Sequence, residues 1–419
     1  MASFYIPLTG LDADSTALNT IANNLSNMNT TGFKAQTANF ADLFYQQIGT
    51  SGSGDPIQEG AGTQVASTST DFSNGSPNST GLSTDVALQG NGFFVVSNGS
   101  VQDLTRAGDF GIDALGNLVT SNGMKVMGYP AVNGAVNTNA PLQPINIPES
   151  GILPPQATGS FSMTATLNSA GTNQVFPASI DVYDSLGQMH TAAVTYTQTG
   201  VNAWSYSIAL PASDFASGVS TPVTGTMTFD ASGNLSKVNG TAVGTGAGQV
   251  SSIAVAFTGL ADQAKDLNMT WNLMGSGGTP TISQVAATSA VSASTQDGFA
   301  SGQYQGFTIG SDGTVTVTYS NYQKLNVGQI ALGNVANLQG LKDDGNGDYS
   351  TTLASGNAIV GTSGSAGLGT MQDGALEASN VNISAEFSDL IIAQRAFEAN
   401  SKSITTFDTI TQETIQMIH

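Results

Sequence analysis

The sequence lacks cysteine, and histidine occurs only twice among its 419 residues, at His190 and His419. Without thiols there can be no disulfide, no thiolate nucleophile and no cysteine-bound metal. Two imidazoles argue against histidine-based catalysis or metal binding. Charged residues are also scarce, at 9% of the chain against about 25% in a typical soluble domain. We therefore expect a protein that is not an enzyme and that uses no cofactor and no metal.

The few charges are divided unevenly between the two signs. Twenty-nine acidic residues against nine basic ones give a net charge of −20, which repels nucleic-acid phosphates and anionic lipid headgroups. No apolar run reaches the roughly 18 residues that span a membrane, and the first residues lack the basic segment of a secretory signal. We expect no nucleic-acid binding, no membrane insertion and no export by the general secretion route.

Both ends of the chain carry a seven-residue apolar repeat, which is typical of helices that pack along one stripe. The N-terminal repeat predicts a helix that stops at Gly32. Its apolar stripe consists of Leu11, Leu18, Ile21, Leu25 and Met28. The C-terminal repeat predicts a helix of about 35 residues that Asn382 or Ser384 caps. Its stripe, the strongest periodic signal in the sequence, consists of Leu376, Ile383, Leu390, Phe397, Ile404 and Ile418.

Two arrangements of these helices fit the pattern. They can pack on each other within one chain, or they can leave apolar surface uncovered and pack against further copies of the chain. A helix of about 35 residues is about 50 Å long, and the N-terminal helix that could cover it is shorter. Because an unpaired stripe indicates self-association, the stripe residues are candidate self-assembly residues.

The middle of the chain predicts β-structure, because short apolar runs alternate with Gly, Asn and Asp. Residues 86–96 predict two strands around a Gly-Asn-Gly turn, and residues 109–120 predict a hairpin. A proline cluster at residues 141–155 predicts a boundary. Beyond it, residues 160–279 predict a compact antiparallel β domain with its tryptophans in the core. The Gly-, Ser- and Ala-rich stretch 275–298 predicts a second boundary.

The predicted fold class is therefore α+β and mainly β. We expect a nested, elongated subunit in which the N- and C-terminal helices form a coiled-coil-like inner domain. Each module except the insertion is completed by the far end of the chain. The predicted modules are a helical inner-tube domain (1–30 with 380–419), a connecting region (31–70 with 360–379), a middle β domain (71–147 with 285–359) and an outer β insertion (148–284).

Few side chains suggest a chemical site. Asp344, Asn346 and Asp348 match the first positions of a calcium loop, but the glycine that the loop requires is absent. Lys34 and Arg106 stand out because bases are scarce, and each could pair with acids within the subunit or across an interface. Since exposed pairs contribute about 0–1 kcal/mol, we expect specificity rather than stability from them.

The segment around His190 combines an imidazole with Asp184 and Ser185. A catalytic triad needs convergence in space that closeness in sequence does not supply. The segment predicts an ordinary turn.

Several segments resemble one known family. Residues 23–34 resemble the N-terminal signature of the flagellar rod and hook axial proteins, residues 374–382 and 392–400 resemble its C-terminal signature, and residues 90–96 and 105–110 resemble its β core. The motif residues that carry the terminal match are Asn23, Asn24, Asn27, Gly32, Phe33, Lys34, Ala393, Gln394, Arg395 and Ala396.

The resemblance implies a function in the bacterial flagellum. The insertion is similar to that of the hook members of the family, which implies a structural subunit exported by the flagellar type III system. Outside the cell it would polymerise into a flexible tube, a universal joint that transmits torque from rod to filament. The implied partners are further copies of the chain, the distal rod protein, the hook cap and hook–filament junction proteins, and the export apparatus.

Two other interpretations stay open. A distal rod-type axial protein would share the ends and the first β module. A secreted β-rich glycan-binding protein, a phage-tail-like protein or a hydrolase with two facing carboxylates would also fit the acidic, Gly-rich composition. The ends discriminate between these classes, because an axial subunit would lose polymerisation when they are trimmed.

Overall fold

The computed structural model describes residues 4–99 and 101–417, apart from the side chain of Gln46. It divides into two compact units. Unit 1 comprises the chain up to residue 149, residues 306–318 and the chain from residue 324 onward, and unit 2 comprises residues 150–305 and 319–323. Unit 2 is therefore an insertion, and both described ends of the chain belong to unit 1.

Two α-helices lie at the ends of the described chain, α1 (Tyr5–Ser26) and α2 (Ile383–Met417). The predicted cap of α2 is confirmed, since Oδ1 of Asn382 accepts the backbone N–H of Ser384 at 3.1 Å. The predicted stop of α1 at Gly32 is wrong. The helix ends at Ser26 because Asn27, its C-cap residue, leaves helical geometry at φ −100° and ψ 16°.

Gly32 serves the fold in another way. Its φ of +67° lies in the left-handed region, and a Cβ there would be 2.7 Å from the carbonyl carbon of Arg106. Its N–H donates to the carbonyl oxygen of Glu377 at 2.8 Å. Only glycine fits this turn without strain.

The strands before the insertion belong to unit 1. They are β1 (Gln36–Asp42), β2 (Gln46–Thr50), β3 (Pro56–Glu59), β4 (Thr63–Thr70), β5 (Pro77–Ser79), β6 (Val86–Gln89), β7 (Phe93–Ser97), β8 (Gln102–Thr105), β9 (Gly111–Ile112), β10 (Leu118–Val119), β11 (Lys125–Val132), β12 (Ala135–Val136) and β13 (Gln143–Pro144).

The strands of the inserted segment follow, and all of them except β14, which pairs with β26, lie in two sheets. They are β14 (Ile152–Leu153), β15 (Ser160–Asn168), β16 (Val175–Tyr183), β17 (Met189–Gly200), β18 (Ala203–Ala209), β19 (Val223–Phe229), β20 (Leu235–Val238), β21 (Thr241–Ala242), β22 (Ser252–Phe257), β23 (Leu267–Asn272), β24 (Ile282–Val285) and β25 (Ala290–Gln296), with a 3₁₀ turn at Ala212–Asp214.

The chain then returns to unit 1 through β26 (Gly302–Ile309). The remaining strands are β27 (Thr314–Tyr319), β28 (Lys324–Ile330), β29 (Leu332–Asn334), β30 (Lys342–Gly345), β31 (Asp348–Ser350), β32 (Ile359–Gly361), β33 (Thr370–Asp373) and β34 (Ala375–Glu377), with a 3₁₀ turn at Leu338–Gly340.

The main sheet of unit 1 interleaves strands from before and after the insertion. Its order is β27-β28-β11-β7-β8-β31-β30. Phe93, Leu104 and Tyr349 pack into the core on this sheet, and the Phe93 and Tyr349 rings are 5.7 Å apart between centroids. Strands from both halves of the chain therefore share one core.

Unit 2 is a sandwich of a six-stranded sheet, β16 to β21 in chain order, and a sheet of order β22-β23-β15-β24 with β25 beside β15. Trp204 and Trp271 are fully buried between the sheets, as predicted. The prediction of an antiparallel domain is wrong in part, because β15 pairs in parallel with β23 and β24. The chain leaves this sheet after β15, builds the other sheet, and returns, so the neighbours of β15 come much later in the chain.

The compact unit extends beyond the predicted end of the insertion at residue 284. The stretch that predicts a boundary contains β24 and β25, and both strands pair with β15. The structure therefore places the boundary at residue 305. The division into four modules stays a prediction.

Candidate assembly interface

The two terminal helices lie antiparallel within unit 1. The rings of Phe4 and Phe407 are 5.9 Å apart between centroids. At the other end of α1, Nδ2 of Asn24 donates to Oε1 of Glu386 at 2.9 Å. The intramolecular pairing that the repeat allows is therefore present, and within the described residues α1 faces α2 only as far as Phe407.

A small residue sets the distance between the helices. Nδ2 of Asn400 donates to Oδ2 of Asp14 at 2.8 Å. A Cβ at Gly10 would lie 2.6 Å from the same amide nitrogen. The missing side chain at Gly10 thus lets Asn400 reach across to α1.

The pairing leaves the predicted stripes incompletely covered. The stripe residues that become half-buried are Leu11, Leu18, Ile21, Leu25, Leu390 and Ile404. Those that stay exposed are Met28, Ile383 and Phe397.

Two stripe residues need separate mention. Leu376 lies in β34, where it pairs with Asn78 of β5, so its assignment to the helical stripe is wrong. The seven-residue step continues across Asn382, although α2 begins only at Ile383. Ile418 lies outside the described residues.

Large apolar side chains remain exposed along α2, at 45–80% of their accessible surface. They form two stretches of α2, at residues 383–392 and 410–417, and clustered exposed apolar side chains mark interaction sites on proteins. Those nearest the C-terminal end lie past Phe407, where no part of α1 faces them. We name this set the α2 apolar surface: Ile383, Phe387, Ile391, Ile392, Ile410, Ile415 and Met417.

A cavity of about 300 Å³ opens beside this surface, between α1, α2 and β1. Ile21, Phe40 and Ile392 supply apolar lining, while Glu386 supplies a carboxylate. Burial raises the pKa of Glu386, and the hydrogen bond from Asn24 opposes the rise. The cavity has the size and lining to receive an apolar side chain of another molecule.

One buried carboxylate, from the part of unit 1 that follows the insertion, binds groups from the part that precedes it. Oε1 of Glu377 accepts Nζ of Lys34 at 2.7 Å and the backbone N–H of Gly75 at 2.8 Å. Its Oε2 accepts Nη1 of Arg106 at 3.2 Å. The three charged side chains, Lys34, Arg106 and Glu377, form what we call the buried triad, and each is at most 3% exposed.

Backbone carbonyls accept further protons of the two cations, while Nε of Arg106 has no hydrogen-bond partner among the described residues. Nζ of Lys34 donates to the carbonyl of Ser73, and Nη2 of Arg106 donates to that of Gly90, both at 2.7 Å. Burial lowers the pKa of Lys34 and of Arg106, and the charge of Glu377 opposes both shifts. The expectation of exposed, weakly contributing pairs is therefore wrong, because both bases share one buried acid within the subunit.

Two asparagines join α1 and the segment before α2 to the residues that follow Lys34. Asn24 is 1% exposed and bonds both the N–H and the carbonyl of Gln36 with its side chain, at 2.9 and 2.8 Å. Oδ1 of Asn380 accepts the N–H of Ala35 at 2.8 Å, and its Nδ2 donates to the carbonyl of Asp71. Each side chain replaces a backbone partner where α1 or α2 meets β1.

The other motif residues lie around this junction. Asn27 donates to the carbonyl of Asn23 at 2.9 Å and so closes the end of α1, and Phe33 is half-buried in the following turn. On α2, Ala393 is buried. The neighbouring α2 motif residues are half-buried at Ala396 and exposed at Gln394 and Arg395.

Sequence reasoning singled out Lys34 and Arg106 but missed their shared partner. Glu377 and Asn380 lie near the opposite end of the chain from both bases. Their presence in the C-terminal signature was the only available signal. Asp344 and Asp348 do not form a calcium loop, since Asp348 is buried at 5% exposure and accepts a hydrogen bond from Asn122.

None of the described helices is long and apolar enough to cross a membrane. Four protein families match parts of the chain, and two of the matches overlap. They are Flagella basal body rod protein (residues 4–34), Flagellar hook protein FlgE/F/G D1 domain (87–172), Flagellar basal body protein FlaE D2 domain (156–299) and Flagellar basal body rod FlgEFG protein C-terminal (372–417).

Curated relatives match almost the whole chain. The chain is 34% identical to Flagellar hook protein FlgE of Treponema pallidum, with 98% of both chains covered. It is 35% identical to FlgE of Escherichia coli, covering 97% of this chain and 98% of the relative. The fold is similar to the crystal structure of Helicobacter pylori flagellar hook protein FlgE2, with a TM-score of 0.57, 16% identity and coverage of 72% of this chain and 100% of that chain.

Proposed function

Because the chain belongs to the flagellar hook protein family, it is a structural subunit of the extracellular bacterial flagellar hook, and we propose that its terminal helices hold it in the hook's tubular wall. The observation that carries this proposal is the α2 apolar surface. Side chains such as Phe387 and Ile410, both 52% exposed, are left half uncovered by the described chain. Packing against helices of neighbouring copies would remove them from water.

The energetic gain from such packing is substantial. Burying a large aliphatic or aromatic side chain contributes about 1.5–3 kcal/mol. Even half of that contribution from each member of the surface would offset several kcal/mol of association cost. The helical contacts would therefore form a coiled-coil-like inner wall.

The buried triad serves this function indirectly. It holds the segment before β1 to β34, and Asn24 and Asn380 attach α1 and the segment before α2 to the start of β1, so the helices reach neighbouring copies from a defined base. Contacts among β units would be weaker, because exposed surfaces with few charges and few aromatic anchors do not lock one register. Such contacts suit a tube that bends as a universal joint while it transmits torque.

The ends of the tube need other partners. We propose the distal rod protein at the base, the hook cap and junction proteins at the tip, and the type III export apparatus during delivery. The support for these partners is the family resemblance.

Truncation of the chain after Phe407 tests the role of the helices. The removed residues have no described partner on α1, so the monomer should keep its thermal midpoint and strand content. Electron microscopy of the concentrated protein should show tubes for the full chain and none for the truncated chain. Tubes of normal length from the truncated chain would contradict the proposal.

A further inference from the structure

Unit 2 contains a cluster of one imidazole and three carboxylates that the proposed assembly function does not use. His190 and Asp184 are 6% and 0% exposed. Asp214 comes from the 3₁₀ turn, and Asp262 lies exposed in the loop before β23. Four acidic or basic groups from three segments of unit 2 thus lie close together.

The separations of the polar atoms suit a metal ion. Nε2 of His190 is 3.2 Å from Oδ2 of Asp184, and one donor atom each from His190, Asp184 and Asp262 lie within 4.8 Å of one another. Ligand atoms around a tetrahedral dication at about 2.0–2.2 Å are roughly 3.3–3.6 Å apart. The buried pair already has nearly this spacing, and the exposed Asp262 can close the remaining gap by a small side-chain movement.

The backbone holds Asp184 in place for this role. Its Oδ1 accepts the backbone N–H groups of Leu186 and Gln188 at 2.8 and 2.9 Å. The other oxygen, Oδ2, therefore faces His190. The turn predicted from the sequence at this position thus orients a carboxylate.

The second nitrogen of the imidazole has the partner that metal-bound histidines usually have. Nδ1 of His190 is 2.9 Å from Oδ2 of Asp214. In the tautomer that donates from Nδ1, the lone pair of Nε2 points toward Asp184. A carboxylate that accepts from the far nitrogen fixes the ring and makes the imidazole a better ligand.

We propose that His190, Asp184 and Asp262 form a binding site for a zinc-class dication, with Asp214 as the positioning residue and water as the fourth ligand. One imidazole nitrogen among carboxylate oxygens favours Zn²⁺ over Mg²⁺ and Ca²⁺, which prefer oxygen ligands alone. The expectation of no metal rested on the number of histidines and cysteines. That number cannot show that one histidine meets three carboxylates.

Binding would join two distant segments of unit 2. Asp184 and His190 flank the turn before β17, whereas Asp262 comes much later in the chain, in the loop between β22 and β23. A metal bound to the folded state alone raises its stability by mass action. We therefore expect Zn²⁺ to raise the unfolding temperature of unit 2, independently of tube assembly.

Calorimetric titration of the full-length monomer with ZnCl₂ tests the site. We expect saturable binding of one equivalent, a higher thermal midpoint, and no comparable response to MgCl₂ or CaCl₂. Asp262→Asn changes an exposed ligand and should weaken binding more than tenfold without unfolding the chain. Asp214→Asn should weaken it about 10- to 100-fold, the range for loss of an outer-shell partner.

Two matched variants complete the test. Asp266→Asn removes one exposed charge from the same loop as Asp262, and His419→Gln removes the other histidine; both should bind Zn²⁺ like the unmodified chain. Absence of saturable binding in the unmodified chain would overturn the proposal, leaving an imidazolium paired with two carboxylates. Equal binding by Asp262→Asn and Asp266→Asn, or loss of binding in His419→Gln, would overturn it as well.

Discussion

At the residue scale, the account depends on Glu377 more than on any other side chain. Its carboxylate contacts two cations from separate segments, Lys34 before β1 and Arg106 after β8. Desolvating three charges is costly, and the ion pairs offset that cost only while all members are present. The buried triad is therefore sensitive to the loss of its single acid.

Glu377→Gln should destabilise unit 1 by about 3–5 kcal/mol, because Lys34 and Arg106 would remain buried without an anion. Urea unfolding of the monomer measures this. The matched control is Glu398→Gln, an exposed residue of α2, which should change stability by no more than about 0.5 kcal/mol. Equal midpoints for the two variants would show that the triad contributes little.

A second prediction concerns Asp103 of β8. Burial raises its pKa, nearby Asp344 adds to the rise and Lys342 opposes it, and its Oδ1 has no hydrogen-bond partner among the described residues. Because the folded-state pKa lies above the unfolded value, the folded state binds more protons in the window between them, and stability increases as pH falls from 7 into that window.

Asp103→Asn should therefore be more stable than the unmodified chain at pH 7 and less dependent on pH between 7 and 4. Thermal midpoints across this range give the measurement. Asp42→Asn, at an exposed position of β1, serves as the control. A steeper pH dependence in Asp103→Asn would contradict the assignment.

How much of this site the sequence could predict depends on distance along the chain. The scarcity of bases drew attention to Lys34 and Arg106, and the motif drew attention to Asn24. Their burial could not be predicted, because it results from strands that come from opposite ends of the chain. The prediction that Lys34 and Arg106 form exposed, weakly contributing ion pairs is wrong for that reason.

At the element scale, the sequence pattern predicts where helices and strands lie, but not which strands pair. Both helices and the two strands around the Gly-Asn-Gly turn, β6 and β7, are where the pattern predicts them. However, β6 pairs with β33, near the opposite end of the chain, and not with β7. The short segment 109–120 does form its predicted hairpin, between β9 and β10. Local turn chemistry fixes near neighbours, and the core decides the distant ones.

The attachment of α1 to β1 gives an element-scale prediction. Asn24→Ala removes the side chain that bonds Gln36 and Glu386, and the backbone groups left without partners should cost about 1–3 kcal/mol. Asn23→Ala, the same change one residue earlier at an exposed position, should cost far less. Chemical denaturation of both variants measures the loss of unfolding free energy. A larger loss for Asn23→Ala than for Asn24→Ala would refute the role of Asn24.

At the scale of the whole molecule, the insertion can be removed only at its structural boundaries. Ile152 and Gln303 are paired neighbours on β14 and β26, so the entry and exit of unit 2 lie side by side, about 5 Å apart. Replacing residues 150–305 by a short Gly-Ser linker should leave a monomer that folds. Removing 150–284 instead would leave β25 without β15.

We expect the 150–305 replacement to assemble into tubes whose curvature differs from that of the full chain, because the terminal helices are intact. The 150–284 deletion should aggregate through its unpaired strand. Electron micrographs of both proteins show the difference. Complete loss of assembly in the 150–305 replacement would mean that unit 2 is required for the wall itself.

The central claim is that the α2 apolar surface holds neighbouring copies together. The most direct measurement is electron microscopy, with sedimentation, of a chain carrying Phe387→Ser and Ile391→Ser. The control carries Leu186→Ser and Val201→Ser, which change apolar residues of unit 2 that are at least as exposed. The account predicts tubes for the unmodified and control chains and a folded monomer for the α2 variant. Tubes from the α2 variant at the same concentration would contradict it.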